Sequence, residues 1–198
     1  MPQPVVLRGG RVTLSVPAEA DIDRIAELCA DPEIARWTTV PSPYRRENAV
    51  GFVTSVVPDG WASDRVCTWA IRVDGGLVGM IGIHDVHRHQ GEIGYWLARE
   101  ARGRGVMAEA VALVVEYGFG PAPEGLALSR MVWRAMAGNA ASAAVARRAG
   151  FRWEGVVPNG AEQRGERFDE WRATLLPTDP RLPAADWPDV TYVQAVAP

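Results

Sequence analysis

Residues Glu92-Ile93-Gly94-Tyr95-Trp96-Leu97 lead, four residues on, into Arg102-Gly103-Arg104-Gly105-Val106-Met107-Ala108-Glu109. The first stretch reads as a β-strand. The second opens a segment with apolar residues at Met107, Ala110, Val111, Val114 and Tyr117, the spacing of an amphipathic helix of about three turns. Two glycines and two arginines therefore sit at a strand-to-helix junction. Glycine lets successive backbone N–H groups converge, the helix N-terminus adds partial positive charge, and arginine supplies forked donors, so the junction suits an anion. It has neither the lysine and hydroxyl residue of a triphosphate loop nor the glycine spacing of a dinucleotide fingerprint. The expected ligand is a pyrophosphate of another kind, while a solvated arginine-rich turn has the same local composition.

Upstream, Val12 to Val16 reads as a strand, and Ile22, Ile25, Leu28 and Cys29 share one helical face. Asp31-Pro32 through Pro41 breaks regularity. Ser42-Pro43 resembles an N-cap followed by proline at the first helical position, predicting a helix to about Val57. Thr68 to Val73 and Leu77 to His84 read as strands joined by Asp74-Gly75-Gly76, and a turn at His87 to Gly91 leads to the strand at Glu92, completing an antiparallel meander. Downstream, Met131 to Ala135 predicts a strand, Asn139 to Ala149 a helix closed by Gly150, and Phe151 to Val157 and Arg167 to Leu176 a last strand pair. The expected division is a domain over residues 1–176 and a proline-rich C-terminal tail over 177–198. That tail either docks through Trp187, Tyr192 and its few other apolar residues or stays mobile.

The 198 residues carry 24 acids and 21 bases, a formal charge of −3. Every base is arginine, which excludes a lysine nucleophile or Schiff base. Arginines number 9 against 12 acids over residues 1–98, 11 against 9 over 99–172, and 1 against 3 beyond, so the positive bias surrounds the glycine-arginine loop. Without a basic run longer than two residues, nucleic acid and anionic membrane are not expected as main partners. Cys29 and Cys67 lack metal-ligand spacing and read as buried thiols of a reducing compartment. With no signal-peptide pattern and no long apolar run, the expected location is the cytoplasm. His84, His87 and His89 cluster around one turn, but strict strand geometry sends residues 84 and 87 to opposite faces, and no metal is expected.

Glu92 to Leu97 followed by Arg102-Gly103-Arg104-Gly105 resembles the acyl-coenzyme A signature of the GNAT acetyltransferases. Asp31-Pro32-Glu33, Trp37, Asn139-Ala140-Ala141-Ser142 and Arg148-Ala149-Gly150-Phe151 are similar to the RimJ/RimL-type branch. The resemblance spans roughly residues 7–176. It implies a mixed α/β (α+β) fold, with a mostly antiparallel sheet that splays between the strands at 92–97 and 129–135. It further implies acetyl-CoA as co-substrate, transfer to a primary amine such as a protein N-terminus, and a homodimer. A succinyl donor, a small-molecule or antibiotic amine, and an acyl-CoA-binding sensor without an acceptor site are the competing readings.

The resemblance also assigns residues. Trp96, Leu97 and Ala98 supply backbone to the pantetheine arm and the thioester, and Arg102, Gly103, Arg104, Gly105, Val106 and Met107 hold the pyrophosphate. Met107 departs from the family's small residue and is expected to narrow the space beside it. Asn139 and Ser142 complete the donor site. Amine transfer needs a base, and Glu92, or Glu162 in the loop between the last two strands, is the candidate. Glu154 and Asp169 are weaker ones, with a structural ion pair as the plainer reading. Where many members carry a tyrosine acid this chain has Ala146, so Ser142 is expected to hydrogen-bond the departing thiolate; its hydroxyl is too weak an acid to protonate it fully. Of the eight tryptophans, Trp69, Trp96, Trp133, Trp153 and Trp171 are expected in core or cleft wall, and Trp37 and Trp61 at the acceptor mouth.

Overall fold

The computed structural model describes residues 4–189. Eight strands form one sheet: β1 (Leu7–Arg8), β2 (Thr13–Ser15), β3 (Cys67–Val73), β4 (Gly76–His87), β5 (Gln90–Leu97), β6 (Arg130–Met136), β7 (Arg152–Gln163) and β8 (Glu166–Leu175), in the order β1-β2-β3-β4-β5-β6-β8-β7. All neighbours are antiparallel except β5 and β6, which pair in parallel only from Gln90↔Arg130 to Ile93↔Trp133. From Gly94 onward β5 stays with β4 but leaves β6, so the sheet opens between the two strands that the family resemblance implies.

The meander follows from turn chemistry. Asp74-Gly75 and Arg88-His89 both have positive φ, the geometry of two-residue hairpin turns whose twist matches the strands. One face of the sheet is covered by α5 (Val106–Phe119) and α6 (Ala140–Arg148), whose Val111, Val114, Ala143 and Ala146 pack with Trp69, Ile81, Ile93 and Trp133. The other face takes α1 (Ile22–Cys29) and α3 (Arg46–Gly51), where Ile25, Leu28, Ala49 and Val53 meet Ala70, Leu77 and Met80. Cys29 and Cys67 are buried free thiols, both pushed up to about 12 by burial.

Five local expectations change. Residues 31–41 contain a short helix, α2 (Pro32–Trp37), because Asp31 accepts from the Glu33 N–H at 2.9 Å and proline occupies the first turn. Ser42-Pro43 does not start a helix: its peptide bond is cis, and α3 begins at Arg46. The helical path then passes through a π turn at Phe52–Val56 into α4 (Val57–Ala62), beyond the expected end at Val57. Pro58 lacks the N–H that an α-helix would need there, and the wider turn accommodates it. The helix over 106–119 runs about four turns rather than three. Finally, β7 extends to Gln163 and turns tightly at Arg164-Gly165, so Glu162 lies in a strand opposite Arg167 and not in a loop.

Beyond β8, Trp187 is buried: its Nε1 donates to the Phe151 carbonyl at 2.7 Å and its ring packs on Trp133 and Trp153. Leu182 is exposed. Tyr192, Val190, Val193 and Val196 lie outside the described residues.

Candidate active site

The opening between β5 and β6 is the centre of a cavity of about 420 Å³. Strand alternation sorts its lining. His84, Glu92, Gly94 and Trp96 belong to the face that carries α1 and α3, where Trp37, Thr38, Val40 and Phe52 close the wall. Ile93, Tyr95 and Trp133 belong to the opposite face, where Asn139 and Ser142 approach from α6. Residues of both faces line one space, so the cavity passes through the sheet where the two strands part.

On the α6 side, Asn139 caps the helix, its Oδ1 accepting from the Ser142 N–H at 3.2 Å. Ser142 is nevertheless more than an exposed first-turn residue. Trp133 Nε1 donates to its Oγ at 3.0 Å, the hydroxyl donates to the Tyr95 hydroxyl at 3.3 Å, and Tyr95 donates to the Ser142 carbonyl at 3.0 Å. Burial pushes the Tyr95 phenol up, so it stays protonated. Tyr95 was not among the residues singled out by sequence; the alternation of β5, which turns it toward Ser142, was the available signal.

Across the sheet, Glu92 lies within 3.3 Å of the Arg134 guanidinium. Burial raises its pKa, and the opposing charge of Arg134 limits the rise. Glu162, by contrast, is exposed and paired with Arg167 at 2.8 Å; the hairpin turn that extends β7 moves it out of the expected loop. Glu154 pairs with Arg130 at 2.8 Å, and Asp169 accepts from the Asn159 N–H at 3.0 Å, which gives both structural work. Trp61 also departs from expectation. It is buried against Trp69 with its Nε1 donating to the Thr68 carbonyl, so Trp37 and Trp96 are the tryptophans of this face of the cavity.

The loop before α5 has the form an anion requires. Gly103 and Gly105 take φ of +72° and +78°, and Gly105 stands at the helix N-cap without a side chain covering the first-turn N–H groups. Arg102 Nε donates to the Leu97 carbonyl at 3.0 Å, tying the loop to the end of β5. Met107, expected to narrow the space beside this loop, is 7% exposed and its side chain belongs to the core, along with Val106. An unforeseen residue joins the loop. Arg11, in the turn between β1 and β2, donates to the Arg104 carbonyl at 2.7 Å, while Glu109 accepts from the Arg11 N–H at 2.9 Å and pairs with its guanidinium at 3.0 Å. A Cβ at Gly9 would stand 2.2 Å from Glu109 Oε1, so the glycine pair before Arg11 was the sequence trace of this junction.

The β7–β8 hairpin secures the opposite end. Gln163 Nε2 donates to the carbonyls of Ala35, Arg36 and Thr38 at 3.2, 3.0 and 2.6 Å, and Arg164 Nη2 to those of Ala35 and Val40 at 2.9 Å each. These bonds hold the segment from Trp37 to Val40 against the cavity.

The sequence profile of the acetyltransferase (GNAT) domain matches residues 11–152. Among curated proteins, the chain is 29% identical over 172 residues to the "Putative ribosomal N-acetyltransferase YdaF" of Bacillus subtilis, covering 83% of this chain and 91% of the relative. Among solved structures, the RimL ribosomal L7/L12 alpha-N-protein acetyltransferase in complex with coenzyme A superposes with a TM-score of 0.77 at 17% identity, over 87% of this chain and 98% of the other. The microcin C7 self-immunity acetyltransferase MccE, in complex with acetyl-CoA and AMP, gives 0.76 at 20% identity, over 85% and 93%. These two likenesses show the fold. With the profile spanning well over half its length, the chain belongs to the GNAT family of N-acetyltransferases.

Proposed function

We propose that the protein transfers the acetyl group of acetyl-CoA directly to the free α-amine of a protein or peptide N-terminus, both substrates being bound at once. The observation that carries this reading is the cavity through the sheet: the uncapped N-terminus of α5 and the arginine loop flank one face, and the carboxylate Glu92 lies on the other. A pantetheine arm running from Arg102–Met107 past Ala98 and along the free edge of β5 from Leu97 back to Gly94 brings its thioester to the point where the sheet parts, and an amine entering past Trp37 and Trp96 meets it there. In-line approach of this kind removes much of the entropic barrier of a two-substrate reaction.

Glu92, held by burial above the usual carboxylate range, accepts a proton from the amine through water. Backbone N–H groups of β5 that β6 leaves unpaired polarise the thioester carbonyl. Ser142 stabilises the leaving sulfur. Because Trp133 donates to its Oγ, the serine's own proton is free to turn from Tyr95 to the thiolate. The aromatic walls and the groove behind Trp37 suit an extended peptide backbone better than a highly charged small amine. The names of the curated relative and of RimL support a ribosomal protein as acceptor. Cytoplasmic residence fits this reading, and among the described residues no helix is long and apolar enough to cross a membrane.

The test supplies acetyl-CoA with a panel of peptides and small amines, follows free thiol, and maps the acetyl group by mass spectrometry. The expected result is acetylation of peptide α-amines. Binding of acetyl-CoA with no acceptor turned over above hydrolysis overturns the reading.

A further inference from the structure

His84 has the geometry of a catalytic group that the mechanism above leaves unused. It is directly opposite Glu92 across the β4–β5 ladder, on the same face, and it lines the cavity. Its ring leans along the strands toward the sheet opening. A Cβ at Gly82 would come within 3.0 Å of Nε2, and a Cβ at Gly94 within 3.3 Å, so two facing glycines leave the space that the imidazole occupies. Gly94 is also the first residue of β5 beyond the last pair with β6. The imidazole Nε2 thus hangs beside the point where the sheet parts, which is where a thioester and an amine would meet. Among the described residues its ring nitrogens have no hydrogen-bond partner, whereas His87 and His89 each contact a backbone carbonyl on the exposed turn.

We propose that His84 is the first acceptor of the amine proton, from which the proton passes through water to Glu92, its partner across the ladder. This proposal rests on the acetyl-transfer reading. The ammonium form of the acceptor gives one proton to His84 Nε2. The freed nitrogen pair attacks the thioester carbon, the C–N bond forms, and the C–S bond breaks with its electrons on sulfur. The nitrogen's second surplus proton ends on that sulfur as thiol, and the imidazolium passes its proton through water to Glu92, which releases it to water at the cavity mouth. Burial raises the pKa of Glu92 although Arg134 lies beside it at 3.3 Å, so the carboxylate can hold a proton handed on from the imidazole.

Burial lowers the pKa of His84, so the ring is neutral at the working pH, with a lone pair open to the proton, and does not retain the proton it receives. Asp85 follows it on its own strand and Glu92 is opposite on β5, with Arg134 of β6 and Glu170 and Arg172 of β8 acting on Glu92 in turn; Thr68 of β3 and Trp37, Thr38 and Phe52 from the helical wall do not titrate.

The experiment compares the wild type with His84→Gln and, as a control on the exposed turn, His87→Gln. Acetyl-CoA affinity is read by calorimetry and acceptor kcat/KM across pH 6–10. His84→Gln should bind acetyl-CoA as the wild type does, lose about 100-fold or more in kcat/KM, and recover as pH approaches the pKa of the amine itself. Wild-type kcat/KM with an unmoved pH profile overturns the proposal. In parallel, the imidazole Cε1–H signals of the wild type are followed by NMR, assigned with His87→Gln and His89→Gln so that no His84 variant need fold. Adding coenzyme A with an acceptor peptide should shift the His84 signal and its titration; an unchanged signal in that complex also overturns the proposal. Failure of the acetyl-transfer reading is separate, since it shows as absence of turnover by the wild type.

Discussion

Replacing Gln163 and Arg164 together by alanine tests how the acceptor side of the cavity is held. Two amide hydrogens of Gln163 serve three carbonyls at 2.6–3.2 Å, and Arg164 Nη2 serves two more at 2.9 Å. A net protein hydrogen bond contributes about 1 kcal/mol. Arg164 is exposed, so water replaces most of its share, and the Gln163 bonds are only partly buried. The sum for the pair is about 2 kcal/mol, mostly from Gln163. That free energy acts on the segment carrying Trp37 to Val40, about 125 residues away in sequence. If the held arrangement is the one that binds acceptor, its loss raises acceptor KM by at most about 30-fold. The KM for acetyl-CoA should stay within about twofold, because the donor loop is tied instead to Arg11 and Leu97. Steady-state kinetics with each substrate varied, together with amide hydrogen exchange over residues 38–41, reads both quantities. Unchanged exchange and unchanged acceptor KM in the double variant would refute the reasoning, as would an equal rise in both KM values.

Ser142→Ala should lower kcat by about tenfold or more through loss of a hydrogen bond to the leaving sulfur. It should also cost about 1–2 kcal/mol in denaturant unfolding, since Trp133 Nε1 loses its acceptor. Arg104→Glu should weaken acetyl-CoA binding at least tenfold in calorimetry, with a loss that shrinks as salt rises. Stability should also report on Asp21. Burial alone would raise its pKa, but bidentate donation from Arg72 at 2.8 and 2.7 Å and the Ala18 N–H at 2.8 Å leave it lowered. Its contribution is therefore complete above the unfolded value of about 3.9 and is lost as pH falls through the lower folded value. Acid unfolding of Asp21→Asn should be less steep than that of the wild type in this range, and the variant should be about 3 kcal/mol less stable at neutral pH.

Much of the fold is local enough to read from residues. Asp74-Gly75 makes a hairpin because of backbone preference alone, and Asn139 starts a helix because its side chain reaches the third residue on. Errors arose where a local preference competed with something beyond the window. Ser42-Pro43 looked like a helix start, yet the first turn forms at Arg46, where Asn48 accepts from the Arg45 N–H. Glu162 reads locally as loop because a run of polar and glycine residues hides a hairpin whose turn is only Arg164-Gly165. Trp61 was expected at the mouth because it is near the early helices in sequence, whereas packing on Trp69 buries it.

The sequence by itself determined the class of molecule: a strand feeding a glycine-arginine loop and a helix, with a second helix opened by Asn139, is a chain of short-range preferences that no distant residue has to supply. What that string could not encode in any one window is which side chains share the opening in the sheet. Parallel pairing that ends at Ile93↔Trp133 creates the gap, and the β4–β5 register then sets His84 against Glu92 on one face while Tyr95, Trp133 and Ser142 meet on the other. Arg11 at the glycine-arginine loop and Gln163 on the wall of the cavity are decided in the same way, by contacts about 93 to 128 residues apart. Such contacts carry no local signature, because they form only when the whole sheet has fixed the distance between their strands.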